Sequence, residues 1–356
     1  RCITSDSLLR AAHCGRLKIE LSMCPNAGIL KGSGPGHGKD SMIQRNLQSR
    51  LLDLARQFPV VTVTGPRQSG KSTLAVSTFP HKPVVSRENL DLRALAKQDP
   101  RGFLSQFPEG AVLDEIQKAP ELLSYLQGIV DADPVSGRWI LTGSSNLELT
   151  QGVSQSLAGR SALVSLLPCS GDELLRFPSA PEDLYSFLWH GGYPAIHDRK
   201  LNPYDYLASY VSLYVERDVR QILNISHLDD FRTFARVCAG RGAELLNLVG
   251  LGSDVGVSHS TARSWLNAMN VGYLTFELQP FSRNITSRLT KNHKLFFYDT
   301  GLMANLLGIE EPRQLFSHPL RGALFENWVV SEALKAFVHA ARYPSVSFFR
   351  DRRGLE

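Results

Sequence analysis

The chain has 356 residues, 43% of them hydrophobic and 21% charged, which is enough apolar mass for two or three domains with separate cores. No run approaches the roughly 20 apolar residues of a membrane-spanning helix, so no membrane partner is expected. The formal charge of +5 gathers at the start: residues 1–41 hold six Lys/Arg against three Asp/Glu and the remainder 33 against 31, so charge alone gives no mandate for nucleic acid.

Residues 1–41 also hold Cys2, Cys14 and Cys24, while only Cys169 and Cys238 lie beyond them. Nothing here forms a disulfide framework, so a reducing, cytoplasmic setting is expected. This first segment has no steady periodicity and no signal peptide, and its KGSGPGHGKD run reads as a flexible linker. It is expected to be a non-native or disordered leader. Met42 is the expected start, because Ile43, Leu47, Leu51 and Leu54 then fall on one helical face.

The run FPVVTVT, residues 58–64, reads as a strand, and GPRQSGKST follows it directly. The latter satisfies G-x-x-x-x-G-K-[ST] with Gly65, Gly70, Lys71 and Ser72, a phosphate-binding loop between a strand and a helix. The two glycines let successive N–H groups turn inward at the positive end of the following helix. Lys71 is expected to reach the β and γ phosphates of ATP, and Ser72 to offer its hydroxyl to Mg²⁺. The whole loop, Gly65, Pro66, Arg67, Gln68, Ser69, Gly70, Lys71, Ser72 and Thr73, is the expected nucleotide site.

About 45 residues on, GAVLDEIQ reads as a buried parallel strand delivering Asp114 and Glu115 to the same side. Asp114 is expected to orient Mg²⁺ and its waters, and Glu115 to polarise the attacking water. The next strand, RWILTGSSN, ends in Thr142, Ser144, Ser145 and Asn146. Ser144 reads either as a sensor of the γ-phosphate or as part of a helix cap. Arg160, in LAGR, reads as a phosphate contact in cis, a contact to a neighbour's nucleotide in trans, or a structural arginine; a last core strand follows over Ala162–Leu167.

Beyond Pro168, GDELLRF and EDLYSFLWHGG read as helices, and Asn202–Leu223 as a long one with Tyr206, Tyr210, Leu213 and Tyr214 on one side. Glu216, Arg217 and Asp218 read as an ion-paired surface. Residues 243–280 suggest a winged helix: an apolar helix through Leu248, a turn near Gly256, Ser258 as N-cap, a helix over His259–Met269, and wing strands over Tyr273–Leu278. Arg263 is the only formal cation of that second helix. DNA contacts would therefore draw on Arg283, Arg288, Lys291 and Lys294, and the alternative is a packing or oligomerisation module.

The order GPRQSGKST, VLDEIQKAP, ILTGSSN, LAGR, HGGYP, YVERDV, HKLFFYDTGL and RGALFEN resembles the bacterial and archaeal AAA-type ATP-binding proteins that carry a C-terminal domain of unknown function 4143. The resemblance covers about residues 42–356 and departs from the family where Ser287 and Arg288 replace its usual basic pair. It implies an α/β fold: a P-loop NTPase parallel sheet over 42–168, a helical lid over 169–225, a winged-helix-like domain over 226–290, and a truncated PD-(D/E)XK-like domain over 291–356. In that last part Glu326, Asp351 and Glu356 read as solvated acids before metal ligands, and the reading frame as cut short. The expected function is an Mg-dependent ATPase acting as a switch or motor on an unknown partner, with homo-oligomers expected from the AAA type. The alternative is a nucleotide-gated DNA- or protein-binding module with negligible hydrolysis.

Overall fold

The computed structural model describes residues 43–86, 90–144, 153, 155–215, 228–281 and 292–350. The expectations for residues 1–42, Ser145, Asn146, Glu216 to Asp218, Arg283, Arg288, Lys291, Asp351 and Glu356 lie outside these.

The chain opens with helix α1 (Leu47–Ala55), which buries Leu47, Leu51, Leu54 and Ala55 on the predicted face. Strand β1 (Val60–Thr64) is buried at all five positions and leads into α2 (Lys71–Thr78). Strand β2 (Val84–Ser86) precedes α3 (Leu90–Gln98) and α4 (Pro100–Ser105), where Pro100 opens the helix and the Asp99 side chain accepts from Gly102 N at 2.9 Å. Then come β3 (Val112–Asp114), α5 (Leu122–Ala132), β4 (Trp139–Thr142) and β5 (Ser161–Ser165).

The five strands are parallel, in the order β2-β3-β4-β1-β5. Alternation along the strands feeds two cores. Val61, Val63, Val112 and Ile140 pack with Leu47, Leu51 and Leu74 of α1 and α2. Val60, Leu113, Trp139 and Leu141 pack with Phe103, Leu104, Leu122 and Leu126 of α4 and α5. Helices therefore cover both faces of the central strands, whereas the edge strand β5 alternates, with Leu163 exposed. The last strand runs from Ser161 to Ser165 against the expected 162–167; beyond it Leu166 N still donates to Thr64 O at 2.8 Å, while Leu167 O accepts from Arg45.

The second half is mainly helical: α6 (Gly171–Leu174), α7 (Leu184–His190), α8 (Pro194–Asp198) and α9 (Pro203–Tyr210). They are followed by α10 (Leu228–Gly240), α11 (Leu248–Val255) and α12 (His259–Val271). The expected long helix from Asn202 is regular only to Tyr210, then widens to a π-turn over Val211–Val215, and Leu213 of the expected apolar stripe is 63% exposed. The apolar helix begins at Leu248 rather than passing through it, capped by Asn247. Gly256 closes it at φ 80°, and Ser258 caps α12 as expected.

Strand β6 (Thr275–Leu278) pairs antiparallel with β7 (Lys294–Phe297), followed by α13 (Thr300–Leu306) and α14 (Arg321–Val338). The main apolar core of this half runs from Leu188 and Tyr193 through Phe231, Phe234, Trp265 and Met269 to Phe297, Met303 and Leu324, and a smaller one gathers Ala243, Phe276, Leu278, Phe296 and Leu334. The C-terminal stretch packs Val346 and Phe348 on the smaller core, and Phe281 N donates to Phe348 O beside a bridge between Pro280 and Phe348. Among the described residues no helix is long and apolar enough to cross a membrane.

Candidate nucleotide site

Because β4 lies between β3 and β1, the C-terminal ends of these strands form one edge. There the chain leaves β1 at Gly65, whose φ is 138° and whose added Cβ would stand 2.2 Å from Leu166 O. Only glycine lets the loop press this closely on the chain leaving β5. Gly70 is the N-cap of α2 at φ 91°. A Cβ there meets nothing closer than 3.5 Å, so its left-handed backbone, not crowding, selects glycine. Gln68 also has positive φ, at 62°.

Lys71 is buried, and its Nζ donates to Gly65 O at 3.1 Å and Pro66 O at 2.7 Å, so the ammonium lies folded within the loop. Ser72 Oγ donates to Asp114 Oδ1 at 2.5 Å, and Thr142 Oγ1 donates to the same oxygen. A hydroxyl and a carboxylate thus converge beside the loop, a donor set of hard oxygens that fits Mg²⁺ bound partly through substrate phosphates.

Glu115 has left-handed backbone, φ 54° and ψ 46°, at the entry of the 3-10 turn Ile116–Lys118. Its carboxylate accepts from Gln117 Nε2, which also donates to Ser144 Oγ at 2.9 Å. The structure therefore joins Glu115 and Ser144 through Gln117, a residue of the DEIQ run whose role has no local signal.

A cleft of about 490 Å³ opens over the loop. Gln68, Gly70, Lys71, Ser72, Thr73, Asp114 and Glu115 line one side of it. The opposite side is built by Phe177, Pro194, Ala195, Asp198 and Arg199, with Ile43 and Arg45 from the segment before α1. None of this second set was found from sequence, because the helical half reaches the loop only through tertiary packing. The remaining predicted loop residues turn to structural partners. Pro66 and Gly65 offer carbonyls to Lys71, Arg67 O accepts from Tyr210 at 3.4 Å, and Ser69 O accepts from Arg45 at 2.7 Å.

Arg160 does not join the site in cis. It immediately precedes β5, and its carbonyl accepts from Val60 N at the start of β1, the sheet edge opposite the loop. Its guanidinium forms a two-pronged pair with Asp131 of α5. The hydrogen bonds to this carboxylate, above all, push its pKa further up, so the group stays cationic.

Two of the cations expected to meet DNA form ion pairs within the fold. Arg263 pairs with Glu277 Oε1 at 3.1 Å, and that oxygen also accepts from Asn270 Nδ2 at 3.1 Å. Lys294 is buried and pairs with Glu326 at 2.9 Å. Lys294 is thus turned into the protein, whereas Arg263, though paired, keeps a side chain that is 42% exposed. Glu326 is accordingly an ion-pair partner rather than a free solvated acid.

Residues 57–175 match the profile of a family described as AAA domain, and residues 181–313 that of a domain of unknown function, DUF8612. The C-terminal match is thus to a different domain from the expected 4143. Uncharacterized proteins of Mycobacterium bovis and Mycobacterium tuberculosis are each 31% identical to the chain over 296 residues, 81% of the chain. The chain spans about 65% of the length of these curated relatives. The solved structure of a Walker-type ATPase of Pyrococcus abyssi is similar at 15% identity and a TM-score of 0.49, covering 75% of this chain and 97% of that one. AMPPCP-bound DnaA of Aquifex aeolicus is similar at 14% identity and a TM-score of 0.32, covering 63% and 85%. With its loop and sheet order, the matched region, residues 57–175, has the features of an AAA-type P-loop domain.

Proposed function

We propose that the chain binds Mg-ATP in the cleft above the loop and hydrolyses it, with the helical half moving as the output of a switch or motor. The observation that carries this is the convergence of Lys71, Ser72, Asp114 and Glu115 on one sheet edge, facing a second wall from the helical half. Lys71 and the loop N–H groups would hold the phosphates, while Ser72 and Asp114 would hold Mg²⁺. Mg²⁺, when bound, would neutralise charge on the phosphates. Glu115 would orient and polarise the attacking water. Ile43, Phe177, Pro194 and Ala195 offer an apolar lining for the base, and Arg199 a second cation.

One observation favours a second reading, in which nucleotide gates binding to a partner with little turnover: Gln117 holds the Glu115 carboxylate. For a DNA partner, the described residues of the winged-helix-like region give little support, since Arg263 and Lys294 are already paired. A role for Arg160 in trans needs a second copy of the chain.

Nucleotide titration and phosphate release test the proposal together. Lys71→Ala should abolish Mg-ATP binding, because the loop loses its cation. Glu115→Gln should keep binding and lower turnover by about a hundredfold or more. Micromolar affinity retained in Lys71→Ala would refute the site. Undetectable turnover in the parent chain, with binding intact, would select the gating reading.

A further inference from the structure

Arg45 stands before α1, 24 residues upstream of Ser69, and is 6% exposed. Its guanidinium makes three contacts in the fold. Nη1 donates to Ser69 O at 2.7 Å, Nη2 donates to Leu167 O at 2.8 Å, and Nε stands 3.0 Å from Glu173 Oε1. Glu173 is itself fully buried at the start of the helical half, accepting from Asn46 N at 2.6 Å and Ser170 N at 3.0 Å. Burial alone would push its carboxyl up, but Arg45 overrides this and holds it down at about 2. A buried ion pair of this kind is weak evidence for a stability role, since a well-packed apolar pair does as well. Its orientation is the informative part.

The peptide that joins Ser69 to Gly70 is planar and trans, so its C=O and N–H point in opposite directions. Arg45 holds the Ser69 carbonyl, so the Gly70 N–H points away from that guanidinium, and Gly70 and Arg45 both line the cleft. Gly70 has the left-handed backbone that lets the plane be set this way, and it caps the helix on which Lys71 and Ser72 stand. Leu167 O, the second carbonyl on Arg45, belongs to the segment that crowds Gly65 through Leu166. Both ends of the loop are thereby referred to one guanidinium.

We propose that Arg45 is a positioning residue of the nucleotide site: acting through the loop, it sets the Ser69–Gly70 peptide so that the Gly70 N–H faces the phosphate chain. This rests on the ATP-binding reading above. Lysine cannot replace it, since one ammonium cannot span two carbonyls and a carboxylate with the fixed fork of a guanidinium.

The test titrates the full chain with mant-ATP and displaces it with ATP, ADP or adenosine, for the parent, Arg45→Lys and the double variant Arg45→Met/Glu173→Gln. Arg45→Lys keeps a cation beside Glu173; the double variant removes both charges and carries the test if the single one does not fold. Affinity for ATP and for ADP should fall alike, by about tenfold, the scale of one hydrogen bond to a charged group, while displacement by adenosine stays unchanged. In turnover, KM should rise with kcat preserved, because an interaction made equally in ground and transition states is lost. Partial unfolding would instead lower apparent kcat at constant KM.

ATP and ADP affinities within twofold of the parent in both variants would overturn the proposal. An equal loss for adenosine would overturn it too, since the cleft as a whole would then have collapsed. A parent chain that binds no mant-ATP would instead overturn the ATP-binding reading itself, and this inference with it.

Discussion

Glu115 sits in backbone that disfavours any side chain, at a penalty of about 1–3 kcal/mol, beside the Asp114 carboxylate. Its carboxylate is held by Gln117, whose amide is anchored on Ser144. A base whose lone pairs are spent on an amide is less able to take hydrogen bonds from water. Gln117→Ala is therefore expected to raise kcat several-fold with Mg-ATP affinity unchanged, as read by phosphate release and nucleotide titration. A fall in kcat would show that Gln117 orients Glu115 rather than restraining it. Lys71, Ser72 and Asp114 could be read from the sequence because the loop and the strand end encode their geometry locally. The roles of Gln117 and Arg45 could not, since their partners Ser144 and Glu173 lie 27 and 128 residues away along the chain.

At the scale of elements, the unit that matters is the strand–loop–helix from Val60 to Thr78, pressed against the exit of β5. The central strands β1, β3 and β4 were legible as short runs rich in buried apolar residues, because the middle of a parallel sheet is covered on both faces. The helical half was less so. Periodicity carried the helix from Asn202 through the π-turn at Val211–Val215, since periodicity registers a face but not a slipped turn. Two glycines with positive φ separate crowding from backbone strain. Gly65 has no room for a methyl group, whereas Gly159, at φ 75°, has nothing within 4 Å of its Cβ. Gly159→Ala should destabilise by about 1 kcal/mol and leave nucleotide affinity alone. Gly65→Ala should cost at least about twice that and abolish nucleotide binding. Thermal midpoints and nucleotide titration of the two variants check this, and equal effects would show that crowding at Leu166 O has no weight.

Across the whole molecule, the α/β half and the helical half are held together by buried polar groups as well as by apolar contact. Glu173 meets Arg45 on one side and His339 of the C-terminal region at 3.5 Å on the other. Lys335 of α14 donates to Cys169 O at 3.1 Å and to Glu332 at 3.0 Å, and Glu332 accepts from Gly171 N at 2.7 Å. Burial depresses His339 to about 4 against the pull of Glu173, with Arg45 and Lys335 adding to the depression. Burial likewise depresses His197 to about 4, against the Gly191 carbonyl and with His190 adjacent. Both rings are thus neutral in the folded protein near neutral pH.

The sign of the pH dependence follows from these shifts. A histidine with an ordinary value of 6.5 takes its proton in the unfolded chain first, so acidification from 6.5 to about 4 favours unfolding. Each buried ring contributes about 1.4 kcal/mol per pH unit across that window, and nothing further below it. Glu173 acts lower down: its stabilisation is present above the ordinary 4.5 and is lost as pH falls toward 2. Urea unfolding should therefore show stability declining in two stages, the upper between pH 6.5 and 4. His339→Gln should make the upper slope shallower by about 1.4 kcal/mol per pH unit while leaving the lower stage in place. An upper slope that this substitution does not change would show that His339 is protonated in the folded protein and paired with Glu173 as an ion.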